Sequence, residues 1–208
     1  PKSERWSRAR IRPKYKIMLE EMDKGVGRIL DAVKAADIAD RTLVFFLSDN
    51  GAIGAGSNQP FRGGKFSHFE GGHRVPAIAW WPGRIRAGSK TAELAMGMDL
   101  LPTFLQLAEV EPPADRRLDG LSLRGLLLNN EKLPDRPVFF GYEPKLGTAM
   151  RKGDWKLIVK GENVQLYNLR DDIGERTDLA EQKPAIVASM RAAIDAWKKD
   201  VGWTPPAD

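Results

Sequence analysis

Residues 42–74, TLVFFLSDNGAIGAGSNQPFRGGKFSHFEGGHR, hold most of the chemistry in this chain. Leu43 to Leu47 form a continuous run of large apolar side chains, which predicts a short buried strand. The run stops at Ser48, Asp49, Asn50 and Gly51. Two oxygen-bearing side chains therefore follow directly on the strand, and the glycine lets the backbone turn. In open α/β sheets, ligands bind beyond the carboxyl ends of strands, and hard cations such as Ca²⁺ and Mg²⁺ take oxygen ligands. The same tetrapeptide is equally a common turn, because Asp and Asn bond their own backbone there. Further on, Arg62-Gly63-Gly64-Lys65 sets two cations around a glycine pair, a combination suited to an anion.

Working outward, residues 1–13 are basic and irregular and end at Pro13. From Lys14 the pattern turns helical, with Met18, Met22, Val26, Ile29, Leu30 and Val33 on one face. A helix leading into a buried strand is half of a β-α-β unit and argues for an α/β architecture. After the glycine-rich loop, Val75 to Trp81 predict a second strand, bracketed by Pro76 and Pro82-Gly83. Met98 to Val110 predict a helix with Asp99 as its cap and Pro102 in the first turn. A short helical turn is expected at Ser122–Leu128. The character changes at Pro134–Pro137. Four strand candidates follow, Val138–Tyr142, Thr148–Arg151, Trp155–Lys160 and Val164–Leu169, separated by turn signals such as Lys152-Gly153-Asp154. They predict an antiparallel meander. A last helix starts near Pro184, and Val187, Met190, Ile194, Trp197 and Val201 give it one apolar stripe.

Composition narrows the class. The chain has 208 residues, 42% hydrophobic and 29% charged, which is ordinary for a globular protein of one large domain or a domain with an appendage. No apolar run reaches the roughly 18–20 residues of a membrane span. There is no cysteine, so disulfides and thiolate metal sites are excluded. A net charge of +5 mildly favours acidic partners. The cations are dispersed, and no nucleic-acid module accompanies them.

Several longer strings resemble the sulfatase family of the alkaline-phosphatase-like superfamily. They are LVFFLSDNG, PFRGGK and FEGGHRVPAIAWWPGRI, with EEMDKGVGRIL upstream and MDLLPTFLQLA, DGLSL, RKGDWKLI and LYNLRDDIGERTDLA downstream. The resemblance implies the end of an alkaline-phosphatase-like α/β/α sandwich over residues 1–133. A small α+β subdomain with a four-stranded antiparallel sheet and one helix is implied over 134–208. It implies that Asp49 and Asn50 ligate a metal, Ca²⁺ ahead of Mg²⁺, and that Lys65 contacts the sulfate as a catalytic cation. The substrate would be a sulfated small molecule or sulfated glycan. The family's nucleophile is a formylglycine made in a Cys/Ser-x-Pro-x-Arg motif, and no such motif occurs in this chain. The expectation is therefore that formylglycine and the remaining metal ligands lie in an upstream half. On that expectation the isolated chain is inactive and either pairs with that half or self-associates. A periplasmic or secreted location is what the resemblance suggests; the residues themselves leave the compartment open. Two other readings share parts of this pattern: a phosphate or phosphonate ester hydrolase of the same superfamily, and a non-catalytic module binding acidic glycans.

The remaining residues of the stretch are less decided. Arg62 is a further donor to the anion or a solvated loop residue. His68 and His73 are too far apart to share a helix face as zinc ligands; His73, in EGGHR, is the better substrate contact. Glu70 and Arg74 suggest a structural ion pair. GGKF is no phosphate-binding P-loop, since Gln59 stands where its first glycine belongs and Phe66 where Ser or Thr belongs. The tryptophans at 80, 81 and 155 are expected to pack in cores. Arg151 and Lys156 are expected on a solvated sheet face.

Overall fold

A computed structural model describes residues 8–141 and 147–203, without the side chains of 8–11. In chain order its elements are helix α1 (Arg8–Ala35), strand β1 (Val44–Leu47), the one-turn helix α2 (Glu70–His73) and strand β2 (Ala77–Trp80). Helices α3 (Leu100–Leu107) and α4 (Arg124–Asn129) follow. Strands β3 (Val138–Phe140), β4 (Thr148–Lys152), β5 (Trp155–Lys160) and β6 (Asn163–Asn168) precede the last helix, α5 (Pro184–Asp200). The chain falls into two compact units. One holds α1 up to Met22, Leu47–Pro76 and the residues from Asp135 on; the other holds Asp23–Phe46 and Ala77–Pro134.

In the first unit, β3-β4-β5-β6 form the expected antiparallel meander in sequence order. The alternation of strand side chains sorts its residues onto two faces. Met150, Leu157 and Leu166 meet Met190 and Ile194 of α5 on one face, with Trp155 packed alongside. The opposite face is buried too. There Ala149, Ile158, Tyr167 and Leu169 pack with Phe69, Phe140 and Ile173. Tyr142, expected to end β3, lies outside the described residues.

In the second unit, β1 and β2 pair as a two-stranded sheet. The buried strand expected at 43–47 is only half-buried, and Leu47 is exposed. A strand is buried on both faces only where something covers both, and no residue of β1 or β2 is buried here. Trp81 Nε1 donates to the Asp40 carbonyl at 2.6 Å. Asp99, fully buried, does not cap α3 through its side chain. Its Oδ2 accepts the Met96 N–H at 2.7 Å and its Oδ1 accepts the Leu121 N–H at 2.8 Å. Thr103 Oγ1 donates to the Asp99 carbonyl and accepts the Leu123 N–H, so the DGLSL segment is stitched to the start of α3.

The amino-terminal segment also departs from expectation. Residues 8–13 are helical, and Pro13 sits inside α1. A proline removes one backbone hydrogen bond from a helix, which the 28 residues of α1 absorb near its start. Of the apolar stripe on α1, Met18, Met22 and Ile29 are exposed. Among the described residues no helix is long and apolar enough to cross a membrane.

Candidate functional site

The candidate site lies in the loop Leu47–Pro76, within the first unit. Three short segments of that loop are knotted together through their backbones. The Gly51 N–H donates to the Gly72 carbonyl at 3.0 Å, and the Gly71 N–H donates to the Arg62 carbonyl at 2.8 Å. Asn58 closes the third side. Its Oδ1 accepts the Ala52 N–H at 2.7 Å, while its Nδ2 donates to the Ala52 and Gly63 carbonyls at 2.8 and 3.0 Å. These approaches demand glycine. A Cβ on Gly51 would overlap the Gly71 carbonyl oxygen, and one on Gly72 would overlap that of Ser67. Gly51, Gly71 and Gly72 thus let backbone pack on backbone.

Within this knot the SDNG and RGGK segments are neighbours, since Gly64 abuts the Ala52 carbonyl. Asp49 is exposed and Asn50 half-buried. Asp49 Oδ1 accepts the Asn50 N–H at 3.0 Å, and Ser48 Oγ donates to the Asn50 carbonyl at 2.9 Å. Lys65 is exposed, its Nζ 5.4 Å from the centre of the Phe66 ring. Arg62 is bound inward by one nitrogen: Nη1 donates to the Glu175 carbonyl at 2.8 Å and to the Tyr167 hydroxyl at 3.3 Å. Its guanidinium carbon lies 3.9 Å over the Phe69 ring, a cation–π contact.

Behind the loop stands a buried charge cluster that the sequence reading missed. Lys156, expected on a solvated face, is fully buried on the sheet face that meets Phe69. Its Nζ donates to Glu70 Oε1 at 2.9 Å. It also lies 3.1 Å from Glu175 Oε1, an ion contact without hydrogen-bond geometry. Glu175 Oε2 accepts the Glu70 N–H at 2.6 Å. Arg151 Nη1 reaches Glu70 Oε2 at 3.1 Å, and Arg74 Nη1 adds the expected pair with Glu70 at 3.6 Å. Arg151 is likewise mostly covered rather than solvated. Burial pushes the Glu175 carboxyl above its ordinary range, against the pull of Lys156.

The two histidines meet. Their rings stack at 5.6 Å, and His73 stacks on Phe140 at 3.9 Å. His68 Nε2 is 3.0 Å from the Gly147 carbonyl. Burial holds His73 neutral, with its pKa lowered to about 3, and the nearby Lys156 and His68 act in the same sense. Burial also lowers His68.

The comparisons agree with this architecture. Residues 1–110 match the Sulfatase family model, and residues 64–200 match that of N-sulphoglucosamine sulphohydrolase, C-terminal. The chain belongs to the sulfatase family. Human N-acetylgalactosamine-6-sulfatase is 47% identical to this sulfatase-family chain over 135 residues, 62% of the chain and 26% of that protein. Human steryl-sulfatase is 40% identical over 138 residues, 62% of the chain and 24% of that protein. The chain therefore spans about a quarter of the length of these relatives. Among solved structures, Ps i-CgsB in complex with k-i-k-neocarrahexaose superposes with a TM-score of 0.83 at 32% identity, covering 89% of this chain and 43% of that one. A structure solved with its substrate D-Glucosamine-2-N, 6-O-disulfate has a TM-score of 0.66 at 24% identity, covering 86% of this chain and 39% of that one, and bears on the fold alone. The alkaline-phosphatase-like fold expected from sequence is the fold of these neighbours.

Proposed function

We propose that this sulfatase-family chain supplies part of the site of a sulfuric ester hydrolase, with Asp49 and Asn50 as metal ligands and Lys65 as the cation on the sulfuryl group. The observation that carries the reading is the backbone knot. It brings Ala52, two residues after Asn50, against Gly64, the residue before Lys65, which supports a shared site for the two segments. Asp49 and Asn50 are hard oxygen donors of the kind Ca²⁺ takes, but they are two where six to eight are needed. Among the described residues no group of three or more His, Cys, Asp or Glu could hold a metal. The donors fit in kind, then, and the rest of the shell would have to be supplied from elsewhere. The bound cation would supply positive charge at the transferring oxygens. Lys65, exposed on the loop, would supply a second positive charge to the transferring sulfuryl oxygens and the departing alcohol oxygen, where negative charge develops.

No residue here sits in the family's nucleophile motif, so on this reading a formylglycine would have to be supplied from outside the given sequence. The relatives' names support a sulfated sugar as the substrate class, with a sulfated small molecule as the alternative. The chain alone is expected not to turn over an aryl sulfate. In the longer enzyme, Lys65→Ala should lower kcat by roughly 10²- to 10³-fold, the usual cost of removing one donor to a developing oxyanion. Full activity of that variant would end the assignment of Lys65. Preference for an aryl phosphate over an aryl sulfate would move the chain to the phosphate-ester branch of the superfamily.

A further inference from the structure

We infer that Lys156, gripped between Glu70 and Glu175, is a positioning residue that sets the loop bearing Asp49, Asn50 and Lys65. The inference rests on the reading of those three as the metal and anion site. Its first part, that the cluster orders the loop, stands on geometry alone.

Lys156 comes from β5 and Glu70 from α2, and Glu175 follows β6. The cluster thus ties the one-turn helix α2 to the sheet by Lys156 Nζ to Glu70 Oε1 and by the Glu70 N–H to Glu175 Oε2. Directly after Glu70 come Gly71 and Gly72, whose backbones hold Arg62 and Gly51. Gly51 is one residue from Asn50 and two from Asp49. The path from Lys156 to the candidate ligands is therefore an unbroken chain of hydrogen bonds and covalent links. Arg62, bonded to the Glu175 carbonyl, fixes the RGGK end from the same anchor.

Filling the sheet core does not require a charge at position 156. Replacing a buried ion pair by well-packed apolar groups is often neutral or stabilising. What an apolar side chain does not supply is direction. The charged contacts fix where α2 sits and how it is rotated, which burial alone leaves free. Glu175 also adopts a left-handed φ of 52°, a conformation that non-glycine residues hold only where surrounding contacts enforce it.

Regional amide hydrogen exchange on the 208-residue chain tests the ordering step. Glu175→Gln keeps the shape and an acceptor for the Glu70 N–H but removes the charge facing Lys156; Lys156→Met removes the cation and carries the greater risk to folding. In Glu175→Gln, exchange at Gly51 and Gly71 should quicken about tenfold or more, with about twofold change or less at Leu157 and Leu166 in the sheet. A uniform rise across sheet and loop, or no change at Gly51 and Gly71, would overturn the inference. In the longer enzyme the same variant should lower kcat more than it raises KM, since a displaced cation weakens the transition state first. A purely structural cluster would lower the melting temperature and leave kcat of the folded enzyme unchanged. Quickened exchange at Gly51 beside a fully active Lys65→Ala enzyme would sink the functional reading and leave the anchor intact. Unchanged exchange beside a crippled Lys65→Ala enzyme would do the reverse.

Discussion

In the four-stranded sheet, Leu157 and Leu166 are fully buried and Ile194 of α5 is 1% exposed. In the β1–β2 pair no residue is buried, and Ile78 is 61% exposed. Both regions are rich in apolar side chains; they differ in what covers them. The meander pairs each strand with its sequence neighbour and closes its own cores, one under α5 and one under the loop at Phe69. The second unit, by contrast, leaves Met98, Leu101 and Phe104 exposed around α3. Soluble proteins seldom leave such patches bare. Such exposure favours association of the isolated chain.

The sharpest break of this contrast is core truncation. Leu157→Ala or Ile194→Ala should cost about 3 kcal/mol, within the range for buried Leu and Ile. Ile78→Ala or Leu101→Ala should cost less than about 0.5 kcal/mol in the isolated chain, as exposed positions do. Urea unfolding of the four variants measures both. Equal costs would erase the distinction between the regions.

A smaller effect separates the regions by pH. In the folded chain His73 has a pKa of about 3, below the ordinary 6.5 it regains on unfolding. The unfolded state therefore binds the extra proton between those values, and acid favours unfolding. Stability should be complete above about pH 6.5 and fall as pH drops towards 3, by about 2 kcal/mol from pH 7 to pH 5. His68, also lowered, adds in the same sense; Glu175, raised by burial, opposes it as pH falls through its raised folded pKa towards the ordinary 4.5. Melting curves across that range should flatten in His73→Phe. A variant with the native slope would mean that His73 is not the titrating group.

The least change in stability is expected where association changes most. Ile78→Ser with Leu101→Ser should leave the unfolding midpoint nearly fixed and reduce self-association of the isolated chain, read by light scattering. A parent chain that is already monomeric at high concentration would refute the exposed-face argument.

Much of the fold was legible because its signals are local. Alternating apolar residues between turn dipeptides located β3 to β6 to within a few residues, and Pro184 marked the start of α5. The site was legible as a list of letters: strand end, Asp-Asn, Gly-Gly-Lys. Three things were hidden. Asn58, which closes the loop on Ala52, lies among small polar residues that look like any loop. Glu175 belongs to a string noted only for its resemblance. Lys156 alternates with Trp155 and Leu157, which is how an outward-facing lysine also looks. Its burial depends on a second cover for the sheet.

The sequence by itself determined the order of the elements apart from the one-turn helix α2, the antiparallel meander and the sulfatase-family kinship, since each rests on patterns within a few residues or on matched strings. Only the tertiary structure decided which polar groups are buried. The loop containing Phe69 folds over the sheet face that carries Arg151, Lys156 and Tyr167, turning a face that looked solvated into an interior. A charge placed there must find partners, because desolvation without pairing costs several kcal/mol. Those partners, Glu70 and Glu175, stand 86 residues before Lys156 and 19 after it, separations that no local pattern encodes.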